Sequence, residues 1–182
     1  QEYVRTLAEG LRSHPRFAHY LDQKTIDALV QSAPLHDIGK VGIPDHVLLK
    51  PGKLTPDEWE IMKTHAILGC NAIAQAEADA AKPVGFLAIA KLIARSHHEK
   101  WNGSGYPDGL AGDDIPIAAR LMALADVFDA LTCKRIYKPA FSFDEACRII
   151  VEGKGAHFDP DVVDAFIQRY DRFTAIAREH AE

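Results

Sequence analysis

The chain has 182 residues, of which 47% are hydrophobic and 26% are charged, a balance that excludes a disordered or fibrous protein. Its formal net charge of -5 argues against sequence-independent binding to nucleic acid, which depends on many Lys and Arg contacts with phosphates. The weakly polar stretch 72–94 is interrupted by charged side chains and cannot supply the roughly 20 apolar residues of a membrane span. We therefore expect one compact domain over residues 1–182 in the cytoplasm, a reducing compartment that suits 3 cysteines without CxxC spacing.

Helical start signals recur along the chain, and the alternation typical of strands hardly occurs. Thr55, Pro56 and Glu58 have the pattern of an N-cap, a first-turn proline and a capping box. The helical period that follows places His65 inside this helix, and the next apolar stripe ends at His97, so a second helix should carry that histidine. Further helices are predicted over residues 120–133, after Ser142, and after Asp159.

Two segments are too rich in glycine and proline to be regular. They run over residues 39–53 and 101–116, and each directly follows a cluster that contains histidine. Long ordered loops in a compact domain are often functional. The sequence thus predicts an all-α bundle of about seven helices, by the count of helical segments, with two long functional loops.

The strongest chemical signal is the pair His36 and Asp37. Adjacent imidazole and carboxylate groups can bind one divalent metal, and the carboxylate can bridge to a second, although such a pair alone is more often a surface or capping arrangement. Four more candidates stand on successive predicted helices, which a bundle can fold around one interior space. They are His65, His97, His98 and Asp126. Imidazoles and carboxylates together suit iron or manganese, with zinc and nickel as alternatives.

Three segments together resemble the HD-GYP family, a branch of the metal-dependent HD-domain phosphohydrolases, whose fold is a helical bundle. They are HDIGK at 36–40, HHEKWNGSGYPDGL at 97–110 and LADVFDAL at 124–131, and the resemblance extends over the connecting segments. It implies two or three divalent metal ions, with Asp37 as the bridge between two of them. The ligands it implies are His36, Asp37, His65, His97, His98 and Asp126. It also implies that Lys40 helps to stabilise the phosphoryl oxygens or the attacking hydroxide.

The same resemblance assigns substrate contacts to a loop and to a basic segment. Gly105, Tyr106 and Pro107 match the family loop that lines the substrate pocket, where an aromatic ring beside glycine can contact a nucleotide. Arg135 and Lys138 match positions that grip substrate phosphates. Without the resemblance, the loop would be an ordinary turn and the basic pair a solvated helix end.

Three further features bear on the site. Asn102 stands where the family usually has Asp, which removes one negative charge near the pocket mouth. Glu99 is expected either to orient a liganding histidine or to lie on the surface. Similar proteins have another metal-binding His on an upstream helix, and residues 1–13 contain none. Either this helix precedes residue 1 or the metal site is incomplete. Because the sequence has no initiating Met, we expect it to be a piece of a longer signalling protein that carries a regulatory or receiver domain.

The implied function is metal-dependent hydrolysis of cyclic di-GMP to linear pGpG, with further cleavage to GMP, in bacterial second-messenger signalling. The reaction would be in-line attack on a phosphodiester by hydroxide generated at two ions, which also stabilise the leaving oxygen. Two alternatives belong to other classes, namely a catalytically weak receptor of cyclic dinucleotides and a general HD phosphohydrolase of monomeric nucleotides. The sequence does not distinguish cyclic di-GMP from cyclic GMP-AMP.

Overall fold

The computed structural model describes residues 1–81, 84–133 and 140–180, and within these ranges the regular structure is helical apart from two isolated bridges. The α-helices are α1 (Glu2–Leu11), α2 (Gln23–Ser32), α3 (Asp45–Leu48), α4 (Pro56–Lys63), α5 (His65–Asp79), α6 (Gly85–Ser96), α7 (Ile117–Thr132), α8 (Phe143–Glu152), α9 (Pro160–Gln168) and α10 (Tyr170–Glu179). Short 3-10 helices span Ala33–Leu35, Ile38–Gly42 and Gly112–Asp114. The all-α prediction is confirmed. None of the helices in the described ranges combines the length and the apolar character needed to cross a membrane.

The predicted helix starts are present with their side-chain caps. The hydroxyl of Thr55 accepts a hydrogen bond from the backbone amide of Glu58, whose carboxylate accepts one from the amide of Thr55, so the capping box is complete. Ser142 caps α8 and Asp159 caps α9, each by accepting a hydrogen bond from an amide of the first turn. Each such cap typically stabilises a helix by about 1 kcal/mol.

The helical segments are shorter and more numerous than the sequence patterns indicated. The helix predicted to contain His65 is broken at Thr64, whose hydroxyl donates to the carbonyl of Ile61, a local bond that competes with helix continuation. His65 therefore opens a new helix. In the first predicted loop, part of the chain is helical, since it contains α3 and most of the Ile38–Gly42 turn. The second loop is irregular except for the turn Gly112–Asp114 and an isolated bridge between Asn102 and Ala111.

Helix α7 runs through the centre of the main core. Its residues 118–125 are all buried, which is the expected pattern for a helix surrounded by others. An aromatic cluster lies beside it, with ring centroids 4.9 to 5.6 Å apart. Its members are Tyr3, Phe128, Phe166 and Phe173. Asp126 therefore lies on a helix that is closely packed within the core.

The Ile38–Gly42 turn packs closely against the start of α5. A Cβ atom at Gly39 would lie 1.9 Å from the carbonyl oxygen of His65 and 2.4 Å from the amide nitrogen of Gly69. Only glycine allows the two backbones to approach this closely. The approach places Asp37, which precedes the turn, next to His65.

We expect His157 to make stability depend on pH. Its ring stacks on Phe158 with centroids 4.1 Å apart, and burial, followed by the positive charge of Lys100, lowers its pKa from 6.5 to about 4. The folded state favours the neutral ring of His157. The contribution of His157 to the free energy of unfolding is therefore complete above its ordinary pKa of 6.5 and is lost as the pH falls towards its lowered pKa of about 4. Between about pH 7 and about pH 4.5, the free energy of unfolding should fall by about 2 kcal/mol less in His157→Phe than in the unsubstituted protein. Equal losses in urea titrations of the two proteins would contradict this.

Candidate metal centre

The structure brings together the six side chains predicted as metal ligands. They come from four parts of the chain that are distant in sequence. His36 and Asp37 lie between the 3-10 helices Ala33–Leu35 and Ile38–Gly42, His65 opens α5, His97 and His98 directly follow α6, and Asp126 lies on α7. His97 is thus the residue after the helix rather than the last one within it.

Four of these residues form a tight group. One ligand atom from each of Asp37, His65, His97 and His98 lies within 4.8 Å of all the others. Oδ1 of Asp37 is 3.4 Å from Nε2 of His65 and 3.7 Å from Nε2 of His97. Nε2 of His98 is 3.1 Å from Nε2 of His65. With this spacing, a single ion could contact all four side chains after small movements.

The second oxygen of Asp37 faces other partners. Oδ2 of Asp37 lies 3.4 Å from Nε2 of His36 and 2.5 Å from Nζ of Lys40. Nε2 of His36 is also 3.5 Å from Oδ1 of Asp126. The two oxygens of Asp37 therefore face two different ligand groups, as a bridging carboxylate requires.

Backbone carbonyls orient three of the imidazoles. The Nδ1 atoms of His36, His65 and His97 lie 2.9, 2.7 and 2.9 Å from carbonyl oxygens of the preceding helical turn. These oxygens belong to Ala33, Met62 and Ile93. When Nδ1 donates a proton to such a carbonyl, the neutral ring has its lone pair on Nε2. In all three residues, Nε2 is the atom that faces the cluster.

Two polar atoms at the centre of the cluster have no hydrogen-bond partner among the described residues. They are Oδ1 of Asp37 and Nε2 of His97, and both are buried. A buried polar group without a partner typically costs about 1 to 3 kcal/mol. A divalent cation would satisfy both atoms, so the donor set and its surroundings fit a metal ion.

The two carboxylates of the cluster stay ionised. Burial alone would raise the pKa of Asp37, but the nearby imidazoles of His36, His65 and His97 and the ammonium group of Lys40 outweigh it and hold the pKa far below its ordinary value. Burial would also raise the pKa of Asp126, but the hydrogen bond and the charge of His36 outweigh burial and lower this pKa. Both groups can therefore attract cations at neutral pH.

The imidazoles differ in their protonation. Burial, followed by the neighbouring rings of His97 and His65, lowers the pKa of His98 to about 3, so the ring of His98 is neutral at pH 7, as a metal ligand must be. Burial would also lower the pKa of His36, but Asp126 and Asp37 outweigh it and raise the pKa to about 10. His36 must therefore release a proton to bind a metal.

The glycine-rich loop returns to the cluster and places an aromatic ring on it. The ring of Tyr106 stacks on His98 with centroids 4.8 Å apart and an angle of 23° between the planes. The amide of Tyr106 donates to the carbonyl of His98. A Cβ atom at Gly105 would lie 2.4 to 2.5 Å from backbone atoms of residues 98–100, so glycine is required there. Gly105 and Tyr106 thus lie beside the candidate metal ligands.

Glu99 stabilises this loop through hydrogen bonds. Its side chain is buried, with a relative exposure of 2%, and therefore does not lie on the surface. Its carboxylate accepts hydrogen bonds from the amides of Asp108, at 2.7 Å, and Leu110, at 3.0 Å. Glu99 therefore holds the loop, and the expectation that it orients a liganding histidine is wrong.

We expect Glu99→Gln to loosen the loop. Gln has one oxygen and one NH₂ group, so only one of the two backbone amides would keep its acceptor. The free energy of unfolding should therefore fall by about 1 to 3 kcal/mol. Hydrogen exchange at the amides of Asp108 and Leu110 should accelerate, as measured by nuclear magnetic resonance or mass spectrometry. Glu9→Gln, on an exposed position of α1, is the matched control and should change stability by less than about 0.5 kcal/mol. Unchanged exchange at both loop amides would contradict this role.

The base of the loop is anchored by a charge network that the sequence patterns did not reveal. Asp159, with an exposure of 2%, lies 3.1 Å from the guanidinium of Arg16 and 3.2 Å from that of Arg120. The guanidinium carbons of both arginines lie 5.4 and 5.5 Å from the centre of the Trp101 ring. Arg16 and Asp159 are 143 positions apart in the sequence, so no local motif could indicate that they are partners.

Other predicted positions have simpler outcomes. The side-chain oxygen of Asn102 accepts hydrogen bonds from the amide and hydroxyl of Ser104, so it shapes the turn before the loop. Arg135 and Lys138 lie outside the described residues. Trp59, which sequence reasoning missed, packs edge-to-face against Tyr106 at 6.0 Å. In the sequence, Trp59 is marked only as an aromatic residue one helical turn before Lys63.

Comparison with known proteins places this arrangement in a family. A family model described as HD domain matches residues 16–162. A probable cyclic di-GMP phosphodiesterase of Vibrio cholerae is 53% identical over 182 residues, which are 100% of this chain and 41% of that protein. A cyclic di-GMP phosphodiesterase of the same organism is 58% identical over 177 residues, 97% of this chain and 36% of that protein. A 3'3'-cGAMP-specific phosphodiesterase 2, also from Vibrio cholerae, is 44% identical over 163 residues, 88% of this chain and 30% of that protein.

A solved structure supports the fold. The crystal structure of a cyclic GMP-AMP specific phosphodiesterase of Vibrio cholerae aligns with a TM-score of 0.60 and 22% identity, over 98% of this chain and 48% of that one. The chain spans less than half the length of the curated relatives described above. Since the family model covers most of the sequence, the chain belongs to the HD domain family, and the resemblance to its HD-GYP branch is confirmed.

Proposed function

We propose that this chain is a metal-dependent phosphodiesterase that hydrolyses a cyclic dinucleotide, with cyclic di-GMP as the first candidate, to a linear dinucleotide. The observation that carries the proposal is the convergence of Asp37 with three imidazoles within 4.8 Å, directly beside the ring of Tyr106. Relatives named as cyclic di-GMP or cGAMP-specific phosphodiesterases are 44 to 58% identical to it, which supports the substrate class.

The chain's own residues divide into two ligand groups. In this proposal, Asp37 and the imidazoles of His65, His97 and His98 would hold one ion. Asp37, His36 and Asp126 would hold the second. Mixed nitrogen and oxygen ligands favour iron or manganese, with zinc and nickel as alternatives. A third ion, with a further ligand from an upstream segment, stays a prediction.

The metal ions, when bound, supply an activated water and stabilise charge on the attacking and leaving oxygens. The remaining tasks fall to side chains. Lys40 brings an ammonium group to the edge of the cluster, 2.5 Å from Asp37, where it can offset the charge of a phosphate. Tyr106, whose ring stacks on His98, contacts the nucleotide beside the cluster. Arg135 and Lys138 keep their predicted role of gripping phosphates.

The wider setting of the chain also stays a prediction. A single domain over residues 1–182, a regulatory or receiver domain in the same protein and a cytoplasmic location are expectations from the sequence. They do not enter the chemistry proposed for the cluster.

A substrate panel tests the proposed function. The protein is loaded anaerobically with Fe²⁺ or Mn²⁺ and offered cyclic di-GMP, cyclic GMP-AMP and GTP, with products separated by chromatography. We expect a linear dinucleotide from at least one cyclic substrate and much slower hydrolysis of GTP. Faster hydrolysis of GTP would instead support a general nucleotide phosphohydrolase. Binding of cyclic di-GMP without cleavage would support a receptor.

A further inference from the structure

A large aromatic side chain stands exposed near the metal centre. Trp59 is 45% exposed, although it is among the largest hydrophobic residues of the chain. Its ring meets that of Tyr106 nearly at a right angle, with centroids 6.0 Å apart and 85° between the planes. Tyr106 in turn stacks on His98. A continuous series of three rings therefore leads from the surface to the cluster.

A lysine from the same helix shares this corner. Lys63 lies one turn after Trp59 on α4, and its Nζ is 5.8 Å from the centre of the Tyr106 ring. Its partner in α4 is Glu60, at 2.8 Å, whose side chain is 70% exposed. An exposed ion pair of this kind is weak and can exchange partners. Lys63 is thus a cation available to an anionic ligand beside the ring of Tyr106.

Helix α4 is fixed relative to the metal centre. Its carbonyl at Met62 is 2.7 Å from Nδ1 of His65, so the last turn of the helix orients a candidate ligand. At its other end, the capping box is reinforced by an ion pair between Glu58 and Lys50 at 2.6 Å. Trp59 therefore has a defined position with respect to the cluster.

We propose that Trp59 and Tyr106 form two walls of a subsite for one nucleobase of the cyclic dinucleotide, with Lys63 facing the phosphate next to that base. This inference rests on the proposed function and deepens it. The base stacks on the exposed face of Trp59 and meets Tyr106 with its edge, while the scissile phosphate lies at the cluster beyond His98. Stacking tolerates any base, since every base has a π-face.

Steady-state kinetics with cyclic di-GMP test this subsite in the metal-loaded protein. Trp59→Ala should raise KM about tenfold, the loss expected for one base stack, while Trp59→Phe should restore most of it. Since the stack is made equally in the ground state and the transition state, kcat should change less than KM. Ile61→Ala is the matched control, because it removes another partly exposed apolar side chain, 37% exposed, from the same helix.

Tryptophan fluorescence supplies a readout that does not depend on turnover. Cyclic di-GMP should quench the fluorescence of the unsubstituted protein and have much less effect on Trp59→Phe, which retains only Trp101. If cyclic di-GMP is cleaved but KM and quenching are the same in the Trp59 variants, the subsite is refuted while the proposed function stands. If the unsubstituted protein neither binds nor cleaves cyclic dinucleotides, both are refuted.

Discussion

Asp37→Asn is expected to abolish most turnover of cyclic di-GMP, with a loss greater than about 100-fold, because even residues that only support metal ligands typically contribute about 10- to 100-fold. Both oxygens of Asp37 are in use, since one faces His65 and His97 and the other faces His36 and Lys40. Asn supplies one oxygen and no charge. The variant should therefore lose metal from both ligand groups rather than from one.

Metal content and turnover, measured on the same samples, test this prediction. Inductively coupled plasma mass spectrometry should show fewer ions per chain in Asp37→Asn than in the unsubstituted protein. The control is Asp27→Asn on α2, where the side chain is 52% exposed and contacts Arg5 on the surface. It should keep both metal and activity. Full metal occupancy with normal turnover in Asp37→Asn would show that the carboxylate is not a bridge.

Gly39→Ala is expected to have the largest effect on stability. The added methyl group would lie 1.9 Å from a backbone oxygen of His65 and 2.4 Å from the amide nitrogen of Gly69, and neither can move without shifting α5. Overpacking typically costs about 1 to 3 kcal/mol, and a clash with backbone belongs at the upper end, so we expect about 3 kcal/mol. Because Asp37 directly precedes this turn and Lys40 lies within it, affinity for metal should fall as well.

Urea titration and metal binding measure these two effects, and Gly85→Ala provides the control. Gly85 opens α6, and a Cβ atom there would meet nothing within 4 Å. Alanine at a site of this kind typically stabilises a protein by about 0.4 to 1 kcal/mol. If Gly39→Ala is as stable as Gly85→Ala, the close approach of the turn to α5 does not exist in solution.

The features that the sequence predicted well are local. Capping at Thr55, Ser142 and Asp159 involves residues two or three positions apart, so a short window contains both partners. The candidate metal ligands could be named because their spacing and motifs resemble a known family. Their convergence needed the fold, since Asp37 and Asp126 come from segments about ninety positions apart in the sequence.

The features that the sequence did not predict depend on tertiary contacts. Nothing in the local pattern shows that the hydroxyl of Thr64 turns back on Ile61 and separates α4 from α5. The carboxylate of Glu99 has partners nine and eleven residues further along an irregular loop. In the sequence, Trp59 resembles any apolar residue of an amphipathic helix. Only the fold shows that the loop places Tyr106 against it. Periodicity identifies a helical face but not the segment that covers it.

Turnover of cyclic di-GMP as a function of bound Mn²⁺, followed anaerobically with products identified by mass spectrometry, tests whether the cluster of Asp37 and the imidazoles is a metal-dependent phosphodiesterase site. We expect a linear dinucleotide to appear only when metal is bound, its rate of formation to rise with metal occupancy, and a chelator to stop the reaction. If the protein with both ligand groups loaded binds cyclic di-GMP and leaves it intact, the proposed function is wrong.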